Sequence, residues 1–254
     1  MRPVLVGCSH GTDSTAGRAA IRAILAGVRA ARPDLDVREA FVDVQDPKVA
    51  DVVGAAVDAG LTAVVVPLFL SVGYHVRVDI AAAVADRPAV AVHPLGPDPR
   101  LVEVLRDRID AAGARPDDAI LVAAAGSTDP RAAVAVTEIA AALDGAWNGG
   151  PITIGYGAGA SPRVPEALAA ARAAGTGRVV IASYLLAPGF FHDRLLVAGA
   201  DVVTEPMAPD ARIVQIALDR YAAGVAELEV AQVTQGRPAE LLTDLDGRPI
   251  STDR

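Results

Sequence analysis

Three segments of this chain occur twice, in the same order and at nearly constant separation, and that repetition restricts its fold more than any single motif. LVGCSHGTDS, from Leu5, resembles LVAAAGSTDP, from Leu121. VVVPLFLSVGYH, from Val64, resembles VVIASYLLAPGFF, from Val179, and PLGPDPRLVEVL, from Pro94, resembles PMAPDARIVQIA, from Pro206. His10 falls opposite Ala125, Gly73 opposite Gly189 and Pro94 opposite Pro206, at offsets of 115, 116 and 112. Ordered matches of this kind mark a duplicated unit.

Within each copy, continuous apolar runs alternate with Ala-rich stretches of helical character. The first copy predicts strands near Val4–Cys8, Val37–Val42, Ala63–Pro67 and Val90–His93, and helices near Ser14–Ala31, Pro47–Ala59, Val76–Ala85 and Pro99–Ala112. The second predicts strands near Ile120–Ala124, Ile152–Gly155, Arg178–Ser183 and Asp201–Thr204. Strands that read as unbroken apolar runs belong to parallel sheets covered on both faces. The expectation is therefore an α/β chain of two domains, each a four-stranded parallel sheet flanked by helices. Residues 1–115 form the first and 116–228 the second, joined through the Ala-Gly-Ala-Arg-Pro-Asp-Asp stretch at 112–118, a helix stop followed by turn residues. From 229 to 254 the pattern dissolves into a polar tail carrying Gln-Gly-Arg-Pro and Asp-Gly-Arg-Pro.

Composition narrows the function classes. The 254 residues are 52% hydrophobic and 21% charged, with a net charge of −8, so nucleic acid is not the expected partner. Lys48 is the only lysine and no G-x-x-x-x-G-K occurs, which excludes a P-loop. One cysteine, Cys8, excludes an internal disulfide and a Cys-rich metal cluster, and suits a reducing, cytoplasmic setting. The apolar start is short and the later apolar runs are broken by Pro, Gly or charge, so no signal peptide or membrane span is expected.

Ligands of parallel sheets bind beyond the carboxyl ends of the strands. Those ends carry Ser9-His10-Gly11-Thr12-Asp13, Phe41-Val42-Asp43 and the loop from Leu70 through Gly73-Tyr74-His75 to Arg77. Two of the four histidines fall there with a carboxylate, a donor set suited to a divalent metal with open positions. Each histidine alone is better explained as a cap or a surface group. In the second copy, however, Ala125, Ala158 and Phe191 stand opposite His10, Asp43 and His75, so all three donors vanish together. That joint loss favours a site in one copy and a supporting wall in the other. His192, one residue out of register, is expected on the following helix, and His93 in a strand-ending turn.

Two other patterns compete. Gly7-Cys8-Ser9-His10-Gly11 fits the G-x-S-x-G elbow of serine hydrolases, but it follows the first strand, with no earlier strand to supply an oxyanion-hole amide. Gly155-Tyr156-Gly157-Ala158-Gly159-Ala160 fits a dinucleotide fingerprint but lacks the acidic strand end that should follow, and reads as a flexible loop lining a cleft. Cys8 reads as a small buried apolar residue.

These residues resemble the CbiX/SirB family of sirohydrochlorin chelatases. The resemblance rests on Ser9-His10-Gly11-Thr12-Asp13, on Ala40-Phe41-Val42-Asp43 with Asp46-Pro47, on Val66-Pro67-Leu68-Phe69-Leu70 through Gly73-Tyr74-His75 to Asp79-Ile80, and on Pro94-Leu95-Gly96. It is strong over residues 3–110, weaker over 118–225 and absent from the tail. It implies two tandem flavodoxin-like, chelatase-like domains that insert a divalent metal into sirohydrochlorin, on the way to sirohaem or a corrinoid. His10 and His75 carry over as metal ligands and pyrrole proton acceptors. Asp43 stands where the family usually has glutamate, about one methylene nearer its backbone. The metal, Fe2+ or Co2+, is then a substrate and no cofactor is permanently bound. The chain lacks the His-rich stretch and Cys cluster of some cobalt-associated relatives, which favours Fe2+.

Sirohydrochlorin is anionic and so is this chain, so local arginines must offset the repulsion. Ser9, Gly73, Tyr74, Arg77, Phe190, Phe191 and Arg194 are the expected substrate contacts, with Arg163 a further candidate. A metal or tetrapyrrole carrier without turnover, and a serine hydrolase using Ser9, are the competing functions. Tandem duplication can replace a dimer by one chain, so a monomer is expected.

Overall fold

The computed structural model describes residues 2–175 and 177–236. The first half contains β1 (Val4–Ser9), α1 (Thr15–Ala31), β2 (Val37–Phe41), α2 (Val49–Asp58), β3 (Ala63–Pro67), a π-helical turn (Val76–Ile80) continuing into α3 (Ala81–Val84), β4 (Ala89–Ala91) and α4 (Pro99–Ala111). The second contains β5 (Ala119–Ala124), α5 (Pro130–Ala146), β6 (Ile152–Tyr156), α6 (Val164–Ala173), β7 (Val179–Tyr184), α7 (Phe190–Leu196), β8 (Val202–Val203) and α8 (Ala211–Gly236). The strand orders are β2-β1-β3-β4 and β6-β5-β7-β8, parallel throughout. Both sheets are thus doubly wound, with the chain reversing its strand order between β1 and β3, and between β5 and β7.

Register repeats as faithfully as sequence. Val4 stands opposite Ala63 in the first sheet and Ala119 opposite Val179 in the second. The outer face of the first sheet buries Val4, Val6 and Cys8 against Val49, Val53 and Ile80. The outer face of the second buries Leu121 and Ile181 against Leu168 and Leu195. The inner faces share one core, which runs from Leu5, Ile24 and Val64 through Leu105 to Ile120, Val180 and Tyr221.

That shared core has a specific cause: the last helix of each half lies on the other half. Helix α8 packs on α1, β3 and β4 of the first half, while α4 packs on α5 and β7 of the second. The contacts are reciprocal. Arg100 donates to Asp219 at 2.6 Å and Arg212 to Asp107 at 2.6 Å, each pair matching the other 112 positions along the chain. Arg108 Nε donates to the Pro206 carbonyl and Arg220 Nε to the Pro94 carbonyl, again equivalent groups. Such self-complementary contacts are those of a two-fold dimer interface, here closed within one chain. Hydrogen bonding by Arg100 holds the Asp98 carboxyl below the usual carboxylate range, and Arg212 does the same to Asp210.

The strand and helix positions agree with the sequence expectation to within a few residues, with one larger departure. The polar tail expected from residue 229 begins later, because α8 continues to Gly236. The rest of that tail, including Asp-Gly-Arg-Pro, lies outside the described residues.

Close approach of α8 to the first sheet is set by Gly224. A Cβ there would lie 2.5 Å from Val64 Cγ1 and 2.6 Å from Val92 Cγ1. Gly145, on α5, has nothing within 4 Å of its would-be Cβ. Gly145→Ala should therefore stabilise the protein by up to about 1 kcal/mol through helix propensity. Gly224→Ala should forfeit that gain and destabilise by about 1–3 kcal/mol through overpacking. Chemical denaturation of both variants beside the wild type checks the pair; equal effects would contradict the packing.

Candidate functional site

The turn after β1 is fixed before any side chain enters the cleft. Gly11 adopts φ +90°, and a Cβ there would come within 2.9 Å of the Gln45 amide nitrogen. Gln45 in turn accepts from the Thr12 amide at 2.9 Å, and the Ser14 hydroxyl caps α1 by accepting from the Gly17 amide. The His10 carbonyl accepts from the amides of Asp43 and Val44, which ties the β2 end to the β1 end. His10 follows β1 and His75 follows the loop after β3, so the two imidazoles flank the strand-order reversal where open α/β sheets bind ligands.

The structure brings the two histidines together. Their ring centroids are 4.8 Å apart, with the planes at 87°. His10 is half-exposed, and its Nε2 is 3.9 Å from Asp43 Oδ2, beyond hydrogen-bond reach. Asp43 itself is 64% exposed, at the rim. His75 is more firmly held: its Nδ1 lies 2.6 Å from Asp79 Oδ2, one turn along the π-helical segment. Among the described residues no three His, Cys, Asp or Glu side chains are grouped as a metal site. The cleft thus presents two imidazoles, with one carboxylate standing off and another behind His75. Such an arrangement can hold a divalent cation weakly and accept protons, which suits transfer better than storage.

The second half keeps the frame without the donors. Ala158 N donates to the Ala125 carbonyl as Asp43 N does to that of His10. Phe191, opposite His75, packs so closely on Gly157 that a Cβ there would be 2.7 Å from its ring. It is therefore a plug in the second core more than a wall of the cleft. The Gly155–Ala160 segment is packed too: Gly159 lies against the Ser127 backbone and Gly126 against the Ala158 carbonyl. The expected flexible loop is instead a close-packed turn, because its glycines allow backbone to meet backbone.

The remaining expected contacts divide. Tyr74 packs edge-on to His75, at 5.7 Å between centroids, and is exposed. Gly73 lies beside Ser127 of the second half. Arg77 donates to Asp129 at 3.1 Å, so its charge is already engaged by the residue that caps α5. Arg194 stacks over the exposed Phe190 ring at 5.6 Å, and Arg163 precedes α6 as its cap residue. His192 lies on α7 as expected, buried, with Nε2 3.1 Å from the Thr204 carbonyl, and His93 is exposed. Ser9 is buried within β1 and not raised on an exposed elbow, and no histidine hydrogen bond to its hydroxyl occurs among the described residues.

Sequence reasoning passed over two features. A cavity of about 150 Å³ adjoins His10, walled by Arg18, Glu39, Gln45 and Phe69 and by Leu186–Pro188 of the second half. Arg18 is anchored there through Nε to the Thr12 carbonyl at 2.8 Å. The second is the part played by Asp79, which the sequence places in the same motif as His75, four residues on, but to which no role was assigned.

The comparisons agree with this architecture. The CbiX family model matches residues 4–112 and again 119–223. A sirohydrochlorin ferrochelatase of Priestia megaterium is 29% identical over 173 residues, covering 64% of this chain and 65% of the relative, just under two-thirds of its length. SirB from Bacillus subtilis with Fe3+ superposes with a TM-score of 0.77 at 19% identity, over 91% of this chain and 98% of that one. CbiX, described as the terminal enzyme for biosynthesis of siroheme in denitrifying bacteria, gives 0.62 at 24% identity, over 87% and 98%.

Burial pushes the Cys8 thiol up to about 12, with the Asp79 charge adding to the effect. The thiol should thus stay protonated and inert to Ellman's reagent at pH 8 in the folded protein, and react with one equivalent in guanidinium. Rapid reaction in the native state would contradict the burial of β1.

Proposed function

The chain belongs to the CbiX family, and on that premise we propose that it inserts a divalent metal ion into sirohydrochlorin, with Fe2+ the favoured metal. The carrying observation is the convergence of His10 and His75 at one strand-order reversal, with both imidazoles missing from the equivalent place in the second half. Insertion exchanges two pyrrole N–H protons for one M2+. A neutral imidazole can hold the cation before transfer and take up a released proton. His10 and His75 fill both roles. Asp43, too far to hydrogen-bond His10 directly and exposed at the rim, assists through its charge or a bridging water.

The macrocycle lies between the halves. Tyr74 and Phe190 offer exposed aromatic faces and Arg194 stands over Phe190, giving a cation and an apolar surface beside each other for an anionic ring. Arg77 acts through Asp129, keeping the His75 loop against the second half. One chain supplies both walls of the cleft, which supports a monomeric enzyme. Family membership with a 29% identical sirohydrochlorin ferrochelatase favours this reading over a carrier, and the burial of Ser9 weighs against a hydrolase.

An anaerobic absorbance time course of sirohydrochlorin with Fe2+ or Co2+ tests the proposal. Wild type should accelerate the metal-dependent spectral change, and His10→Ala and His75→Ala should each lose about 10²-fold or more of that acceleration. Binding of the macrocycle without acceleration for either metal would replace the enzyme by a carrier.

A further inference from the structure

We infer that Asp79 is a positioning residue that keeps the His75 proton on Nδ1 and so leaves the Nε2 lone pair for the metal. The inference rests on the ligand role proposed for His75. An ionised carboxylate only accepts hydrogen bonds, so the 2.6 Å contact requires Nδ1–H as donor. At that length it is a charge-assisted bond and fixes ring rotation as well as tautomer. Nε2 is then the nitrogen available to a ligand. His10 has no comparable anchor: its Nδ1 lies 3.4 Å from the Gly11 carbonyl.

Two further observations support the assignment. The segment between the pair is a π-helical turn, Val76–Ile80, an irregularity found preferentially at functional sites. The second half also removes both partners at once: Phe191 stands 116 positions after His75 and Leu195 stands 116 after Asp79. Leu195 is buried in the second core, so the carboxylate survives only in the half that kept its imidazole. A carboxylate needed simply for the turn would have equal use in both copies, since both retain the equivalent bonds, Arg77 N to the Gly73 carbonyl and Asp193 N to the Gly189 carbonyl.

The test uses the full chain without tetrapyrrole, so its outcome is separate from that of the chelatase assay. Two-bond 15N–1H spectra at pH 8.5, with His75 assigned by its loss in His75→Gln, should show the Nδ1–H tautomer in the wild type. Asp79→Asn should shift His75 towards a mixture of tautomers and weaken Co2+ binding by roughly 10- to 100-fold, while the circular dichroism melt stays that of a folded protein. An Nε2–H tautomer in the wild type would overturn the inference, and so would unchanged Co2+ affinity in folded Asp79→Asn. Should that variant not fold, the wild-type tautomer decides.

Discussion

The exchange of α4 and α8 between the halves is the constraint on which the rest of the molecule depends. Each helix packs on elements of the other half, so the inner faces of both sheets share one core. The reciprocal Arg–Asp pairs mark the pseudo-two-fold relation but do not supply most of its energy. Asp219 and Asp107 are exposed, and pairs of that kind contribute about 0–1 kcal/mol each. Burial of Ile213, Ile216 and Met207, at about 1.5–3 kcal/mol per side chain, outweighs them. The ion pairs set register, and the apolar core holds it.

With the frame fixed in this way, the two ends of the molecule diverge in their side chains and in the turn after the third strand, π-helical in the first half and α-helical in the second. The backbone bond from Asp43 N to the His10 carbonyl has its counterpart in that from Ala158 N to the Ala125 carbonyl. One end keeps two imidazoles and their carboxylates near a half-open cleft. The other is filled by Phe191 and by glycine turns that bring backbone into contact. The two copies thus differ in that one carries the paired imidazoles and the other a packed counterpart. The loop after each half's third strand also leans on its counterpart, Gly73 beside Ser127 and Gly189 beside Thr12, so the plugged end braces the open one.

Much of this was legible in the sequence. Apolar runs interrupted by turn residues place the strands, and duplicate runs place them twice. His10 and His75 stand out because strand ends in a parallel sheet face one side, so residues distant in sequence must meet there. What stayed hidden was set by contacts between the halves. Nothing local tells α4 and α8 to cross over, since an amphipathic helix fits either sheet. Arg77 read as a free cation because Asp129, its partner, lies 52 residues away. The Gly155–Ala160 loop read as flexible because Phe191, which packs on Gly157, and Ser127, which packs on Gly159, lie far from it in sequence.

The central claim is that one half holds the metal between His10 and His75 and the other does not. Anomalous diffraction from crystals soaked anaerobically with Co2+ tests it most directly. The account predicts one peak within coordinating distance of the two Nε2 atoms, and none between Ala125 and Phe191. A strong peak at His93 or His192 instead, with the cleft empty, would contradict it.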